Sequence, residues 1–247
     1  MNFPDLAVYL VAGRGSRLGD MTSECPKCLI TVHSVPLLTR SLRQLSHLGV
    51  KKVILVVGYR SEMFQDHYGS SYMGMDIHYV FNPDWSTTNN LVSFDLANPL
   101  IDTDYILLEG DLIYTEDAIG RMNCINSMAV APLETHMDGT VVTINEDHLV
   151  KTMYLKSNKT KYQASNLLYK TVNIYCFSLS SHKNVVQPEV KHLLGQGANQ
   201  SYYEQAIAQA IEKQTLAMKA VSFADQLWYE IDTPEDYEKA KDLFKDE

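Results

Sequence analysis

An unbroken apolar run, Leu6 to Ala12, stops abruptly at Gly13-Arg14-Gly15. No other stretch limits the possible folds of this chain as strongly. A short apolar run bounded by turn residues reads as a buried strand. Glycine has no Cβ, so backbone N–H groups placed after such a strand can approach a ligand closely. Two cations follow, Arg17 and Lys27. Exposed N–H groups beside fixed positive charge make a concave site for anionic oxygens. Ala12, Gly13, Gly15 and Ser16 thus form the floor of a polyphosphate cradle, with Arg17 and Lys27 as its charged walls.

Spacing separates this cradle from two common ones. A P-loop requires Gly-x-x-x-x-Gly-Lys-Ser/Thr, whereas Gly15 is followed by Ser16 and Arg17. A dinucleotide fingerprint requires a third glycine where this chain has Leu18. It also needs an acidic residue about 20 positions on, where the sequence is still a Leu/Arg helix. Both patterns fail. The longer string does fit a pattern: Leu10-Val11-Ala12-Gly13-x-Gly15-x-Arg17-Leu18, then Thr22, then Pro26-Lys27-x-Leu29. It resembles the signature of the nucleotidyltransferases that make nucleotide sugars and CDP-alcohols. Val11 stands where that family usually has alanine, a small change on a buried strand.

Further along, Leu37, Leu38, Leu42, Leu45 and Leu48 repeat at helical spacing from Pro36 to Leu48, closing on Gly49. Strands are expected at Lys52–Val57, Ile77–Phe81 and Tyr105–Leu108, and a short helix at Met63–Tyr68. This alternation predicts an α/β fold with a doubly wound, mostly parallel sheet and ligands at the carboxyl ends of its strands. From Met128 to Phe177 short strands dominate, at about 129–132, 140–144, 150–154 and 172–177 by their apolar runs. They read as a small β-rich insertion on the acceptor side. Ser157 to Ser165 has no apolar periodicity and reads as a loop. The expected organisation is one domain over 1–247. Its nucleotide-binding core covers about 1–127 and 218–247, and about 128–217 form the acceptor-side portion, following where the patterning changes.

Three further places carry candidate chemistry. The polar loop Asn82-Pro83-Asp84-Trp85-Ser86-Thr87-Thr88-Asn89-Asn90 precedes a helix at Leu91–Leu96. It reads either as a turn with an N-cap or as a surface that hydrogen-bonds a nucleobase, with Asn89 the first choice. Lys170 reads either as an anchor for an acceptor phosphate or phosphonate, or as an exposed strand-edge lysine. Tyr203 and Glu204, at the start of a helix from Tyr202 to Ala210, suit an ammonium group by cation–π attraction and charge pairing, or else simply pack. The family resemblance adds the rest. It implies a nucleotide-contacting, magnesium-binding aspartate at Asp111, and a second metal ligand at Asp232, just before the helix start Thr233-Pro234-Glu235. Thr-Asn-Asn-x-x-Ser resembles members that use CTP. Glu109-x-Asp111-Leu112-Ile113-Tyr114 resembles the aminoethylphosphonate cytidylyltransferases, and together with the chain length and the Trp228-x-Glu230-Ile231-Asp232 end it resembles cytidylyltransferases acting on 2-aminoethylphosphonate or phosphocholine.

The resemblance therefore implies a Mg²⁺-dependent cytidylyltransferase acting on CTP and a small phosphonate or phosphoalcohol, with pyrophosphate released. Arg17 and Lys27 would be its catalytic cations. A hexose-1-phosphate nucleotidyltransferase and a catalytically silent regulatory subunit are the alternatives. The formal charge of −9 over 247 residues argues against a nucleic-acid partner. The four cysteines include Cys25-x-x-Cys28 without a second pair, so reduced thiols are expected rather than a zinc site. The start of the chain has no basic n-region and no long apolar span, which predicts a cytoplasmic protein without membrane contact. The oligomeric state, a homodimer included, is left open.

Overall fold

A computed structural model describes residues 3–135, 137–156 and 167–245. The loop expected at Ser157–Ser165 lies outside the described residues. β1 (Leu6–Val11) leads through two 3₁₀ turns (Ser16–Thr22, Lys27–Leu29) to β2 (Thr31–Val32), β3 (Val35–Pro36) and α1 (Leu37–His47). There follow β4 (Lys52–Val57), α2 (Glu62–Tyr68), β5 (Ser71–Tyr72), β6 (Met75–Phe81) and α3 (Asn90–Ala97). Next are β7 (Tyr105–Glu109), β8 (Leu112–Tyr114) and α4 (Glu116–Gly120). The remainder comprises β9 (Ser127–Pro132), β10 (Val141–Ile144), β11 (Val150–Tyr154), β12 (Tyr169–Phe177), α5 (Leu179–Ser181), α6 (Gln187–Gly195) and α7 (Glu204–Glu212). It closes with β13 (Lys219–Ser222), β14 (Trp228–Glu230) and α8 (Pro234–Leu243).

β1 is the hub. It lies between β4 and β7, parallel to both, and β6 continues the parallel set beyond β4. Side chains alternate across a strand. Ala7, Tyr9 and Val11 accordingly join one core cluster with Leu38, Leu42 and Leu45 of α1. Leu6, Val8 and Leu10 join another with Leu91 and Phe94 of α3 and Ile207 of α7. A strand covered on both faces must be apolar at every position, which is why β1 and residues 53–57 of β4 read as continuous runs. The chain runs from β1 outward to β4 and β6, then returns to β7 on the opposite side of β1. That reversal is a switch point, where the loops at the carboxyl ends of the strands part to leave a crevice.

The doubly wound α/β class expected from the alternation is what the chain adopts. The short strands of the middle third join the same sheet, antiparallel: β12 pairs with β7, and β9 and β10 pair with β12. A register shift between Thr171 and Tyr175, with Asn173 at φ +60°, divides β12. Its far half pairs with β7, while Lys170 and Thr171 are carried towards β9 and β10. α4, α6 and the π-helical turn His182–Val186 were not marked by the sequence pattern. All four cysteines are free thiols. No helix among the described residues is long and apolar enough to cross a membrane.

His182 gives the fold a pH-dependent element. Its Nδ1 pairs with the Tyr105 hydroxyl at 2.8 Å and its Nε2 with Asn98 Oδ1 at 2.8 Å. Burial, with Lys183 adding repulsion, lowers its pKa from 6.5 to about 4. The unfolded chain therefore takes up this proton first on acidification, so stability is lost as the pH falls through 6.5 towards 4. Between pH 7 and 5 the expected loss from this group is roughly 2 kcal/mol. Urea unfolding of the wild type and His182→Gln at both pH values measures it. The variant is expected to show a correspondingly flatter pH dependence.

Candidate active site

The cradle begins where β1 ends. The Ala12 carbonyl accepts the Tyr59 N–H at 2.9 Å, tying the loop after β1 to the loop after β4. Gly13 and Ser16 are exposed, and nothing stands within 4 Å of where a Cβ on Gly13 would lie. The interior of the loop is held by Thr22, which is fully buried and donates its hydroxyl to the Gly15 carbonyl at 3.0 Å. Gly15 has φ +76°, and a Cβ there would sit 2.7 Å from Lys27 Cβ and 2.8 Å from Lys27 Cδ. The lysine stem thus lies directly over the glycine. Gly15→Ala is expected to displace Lys27 and to lower kcat roughly tenfold to a hundredfold, the usual cost of misplacing a reacting group by about 1 Å. Steady-state kinetics beside thermal unfolding checks this.

The acids arrive from the other side of the crevice. β7 ends at Glu109, and Gly110 turns the chain so closely that a Cβ would lie 2.6 Å from Val11 Cγ1. Asp111 follows. The C-terminal segment reaches it through β14, which pairs antiparallel with β8 and sets Glu230 opposite Leu112. The Ile231 N–H then bonds the Asp111 carbonyl at 2.9 Å. Below this junction Ile113 and Ile231 pack with Leu18, Leu37 and Phe244. Immediately afterwards Thr233 caps α8 at the helix start expected from Thr233-Pro234-Glu235, and Asp236 makes the cap a reciprocal capping box. Asp232 is therefore held on a rigid corner.

The result is a run of alternating charges. Lys27 Nζ lies 2.9 Å from Asp111 Oδ2 and 2.6 Å from Asp232 Oδ1, and Arg17 Nη2 lies 2.7 Å from the same Asp232 oxygen. Burial alone would lower the Lys27 pKa, but Asp111 and Asp232 outweigh it and hold the ammonium firmly charged. Burial would raise Asp232, yet Lys27 and Arg17 keep it below the ordinary carboxylate range. Glu230 completes an acidic triad: Asp111, Glu230 and Asp232 offer oxygens within 4.8 Å of one another. Burial raises Glu230 to about 7, against the pull of Lys170, with Asp111 and Asp232 raising it further. Sequence reasoning missed Glu230 as a site residue. Its signal was present, since Glu230 and Asp232 are two apart at a strand end and can face the same way.

Do these residues fit a metal? Asp111 Oδ1 is buried without a hydrogen-bond partner among the described residues. An unpaired buried carboxylate oxygen is costly unless something else meets it. A set of carboxylate oxygens suits a hard divalent ion such as Mg²⁺ or Mn²⁺. The donor set fits.

A cavity of about 600 Å³ opens beside the triad, lined among others by Arg17, Lys170, Trp228, Glu230 and Asp232. The exposed strand-edge reading of Lys170 is corrected: β12 has partners on both sides, and the residue is 2% exposed. Its Nζ lies 3.3 Å from Glu230 Oε2 and donates to the Thr171 carbonyl at 2.7 Å. Tyr203 and Glu204 lie behind this wall, neither one lining the cavity. Tyr203 is fully buried, edge-on to Phe94 and Tyr175. Glu204 accepts from the Tyr175 hydroxyl at 3.0 Å, and burial raises its pKa, partly offset by Lys170. Direct contact of this pair with an ammonium group is replaced by packing. Asn89 makes the N-cap of α3, its Oδ1 accepting from the Asn90 N–H at 2.8 Å and its Nδ2 donating to the Gln200 carbonyl at 3.3 Å.

The pattern that defines the MobA-like NTP transferase domain matches residues 7–151, which hold all of β1 but Leu6, the cradle and Asp111. The chain belongs to the MobA-like NTP transferase family. Within it, the chain is 37% identical over 243 residues to a CMP-5′-(3-aminopropyl)phosphonate synthase of Streptomyces rubellomurinus. The match covers 96% of this chain and 38% of that protein. It is 35% identical over 108 residues to a UTP–glucose-1-phosphate uridylyltransferase of Haloferax volcanii, covering 44% of each. The matched stretch thus spans less than half the length of either relative. The solved structure of the CTP:phosphocholine cytidylyltransferase of Streptococcus pneumoniae matches with a TM-score of 0.80 at 19% identity. That likeness covers 97% of this chain and 99% of the other, and shows the shared NTP transferase fold.

Proposed function

We propose that this NTP transferase moves CMP from CTP to a small phosphonate or phosphoalcohol and releases pyrophosphate. The observation that carries the reading is the meeting of Lys27 and Arg17 with Asp111, Glu230 and Asp232 between an open glycine loop and a cavity. The relative that resembles this chain over nearly its whole length makes a CMP-aminoalkylphosphonate, which favours a phosphonate acceptor. The nucleophile in such a transfer is already an anion, so no general base is required. What remains is positioning and the neutralisation of charge on the transferring group.

In this reading the amides of Ala12, Gly13, Gly15 and Ser16 cradle the triphosphate, and Arg17 holds the leaving pyrophosphate. Lys27 contacts the α-phosphate or the incoming oxygen. Asp111 and Asp232, with Glu230, would hold Mg²⁺, which when bound polarises phosphoryl oxygens. Lys170 anchors the acceptor's anionic oxygens. Glu204 and Tyr203 hold Lys170 and the start of α7 from behind. Asn89 reads the base either by a rotated amide or by fixing the polar loop around it.

The test is a turnover screen of CTP, UTP and dTTP against 2-aminoethylphosphonate, 3-aminopropylphosphonate, phosphocholine and glucose-1-phosphate, read by pyrophosphate release. CTP with a phosphonate or phosphocholine is the expected pair. The uridylyltransferase relative supports a second reading, a hexose-1-phosphate nucleotidyltransferase, which turnover of UTP with glucose-1-phosphate would favour. CTP binding without turnover of any acceptor would point to a silent nucleotide-binding subunit.

A further inference from the structure

The acids of the triad are matched one for one by cations. Lys27 bridges Asp111 and Asp232, Arg17 pairs with Asp232, and Lys170 pairs with Glu230. Each acid of the triad thus already has a cation in contact, which a divalent ion would have to displace. The ammonium of Lys27 also stands between the two aspartates, in the space where a metal shared by them would lie. Its stem crosses Gly15, so the same side chain pivots on the loop that faces the phosphates. A triphosphate in that loop would offer the ammonium a second set of anionic oxygens.

We propose that Lys27 is the internal counter-ion of the nucleotide-free protein, standing in for the divalent metal until a triphosphate draws it away. This rests on the reading of the triad as a metal site. The consequence is that free protein binds the ion weakly, and that metal and nucleotide enter as one unit. Removing Lys27 should then have opposite effects on two properties: nucleotide-free metal affinity rises while turnover falls. A purely structural lysine would not produce that pairing. A lysine acting only on the α-phosphate would leave nucleotide-free metal binding unchanged.

The experiment measures Mn²⁺ binding by calorimetry and by the spin-resonance signal of free Mn²⁺. It uses nucleotide-free wild type, Lys27→Met, and Lys27→Met combined with Asp111→Asn. Lys27→Met is expected to bind Mn²⁺ at least about tenfold more tightly than wild type, since even in water a unit charge and a dication about 4 Å apart repel by more than that factor. The gain should vanish in the double variant. Equal affinity of wild type and Lys27→Met overturns the proposal, and leaves the metal reading standing provided the double variant binds more weakly than Lys27→Met. Absence of Mn²⁺ binding in every protein, with or without CTP, overturns the metal reading and this proposal together. Should Lys27→Met fail to fold, Lys27→Gln keeps a polar stem in place. Thermal unfolding of the wild type also decides: Mn²⁺ alone is expected to shift its Tm little, and a shift as large as that given by Mn²⁺ with CTP contradicts the proposal.

Discussion

Asp111→Asn is expected to reduce metal-dependent turnover roughly a thousandfold or more, because metal-assisted stabilisation of a transferring phosphoryl group is worth several kcal/mol. The fold should survive. The Asp111 carbonyl that receives the Ile231 N–H belongs to the backbone, and Lys27 keeps its contact with Asp232. The removed charge leaves no buried cation unpaired, so the Tm should change little. Measuring kcat across a magnesium titration, beside thermal unfolding, separates a lost ligand from a damaged fold. Near-normal activity in this variant would remove Asp111 from the chemistry.

Lys27→Ala should be nearly as severe for turnover. Loss of one preorganised charge donor at a developing oxyanion costs about 3–4 kcal/mol, or roughly two to three orders of magnitude in kcat. Here the structural consequence differs from that of Asp111→Asn. Asp111 and Asp232 would face each other without their shared ammonium, and Asp232 would retain Arg17 alone. Like charges at close range raise each other's pKa. The variant should therefore lose stability as well as activity, and should be stabilised by magnesium more than the wild type is. Thermal unfolding with and without Mg²⁺, combined with single-turnover kinetics, reads both effects.

The contrast between these residues shows what was legible in the sequence. Lys52–Val57 was readable to the residue, because a strand covered by helices on both faces must be apolar throughout. The cradle was readable because its features are local: a strand end, glycines at fixed spacing and nearby cations. The nearness of Asp111 to Asp232 was different. It depends on β8 and β14, three-residue strands whose pairing leaves no periodic trace, and only the family resemblance joined the two aspartates in advance. Glu230 escaped notice because its importance comes from that same pairing.

Burial was the harder quantity to read. Lys170 looked as suited to a strand edge as to a pocket, since a lysine is usually solvated. The bulge at Asn173 and the antiparallel strands on both sides carry it inside, against Glu230. Tyr203 and Glu204 looked like a cage for an ammonium group because both chemistries were right. Their helix start faces the core, where Phe94 and Tyr175 already occupy the aromatic face. Residue type predicts which interactions are available, whereas three-dimensional packing decides which are made.

The convergence of loop, cations and acids on one bound nucleotide is tested most directly by a crystal structure of the protein soaked with CTP and Mn²⁺, using the anomalous signal of manganese to locate the ion. The expected density shows manganese between Asp111 and Asp232, the triphosphate along residues 13–16, and Lys27 turned from the aspartates to a phosphate oxygen. Manganese bound elsewhere, or a triphosphate that avoids the loop, would contradict it.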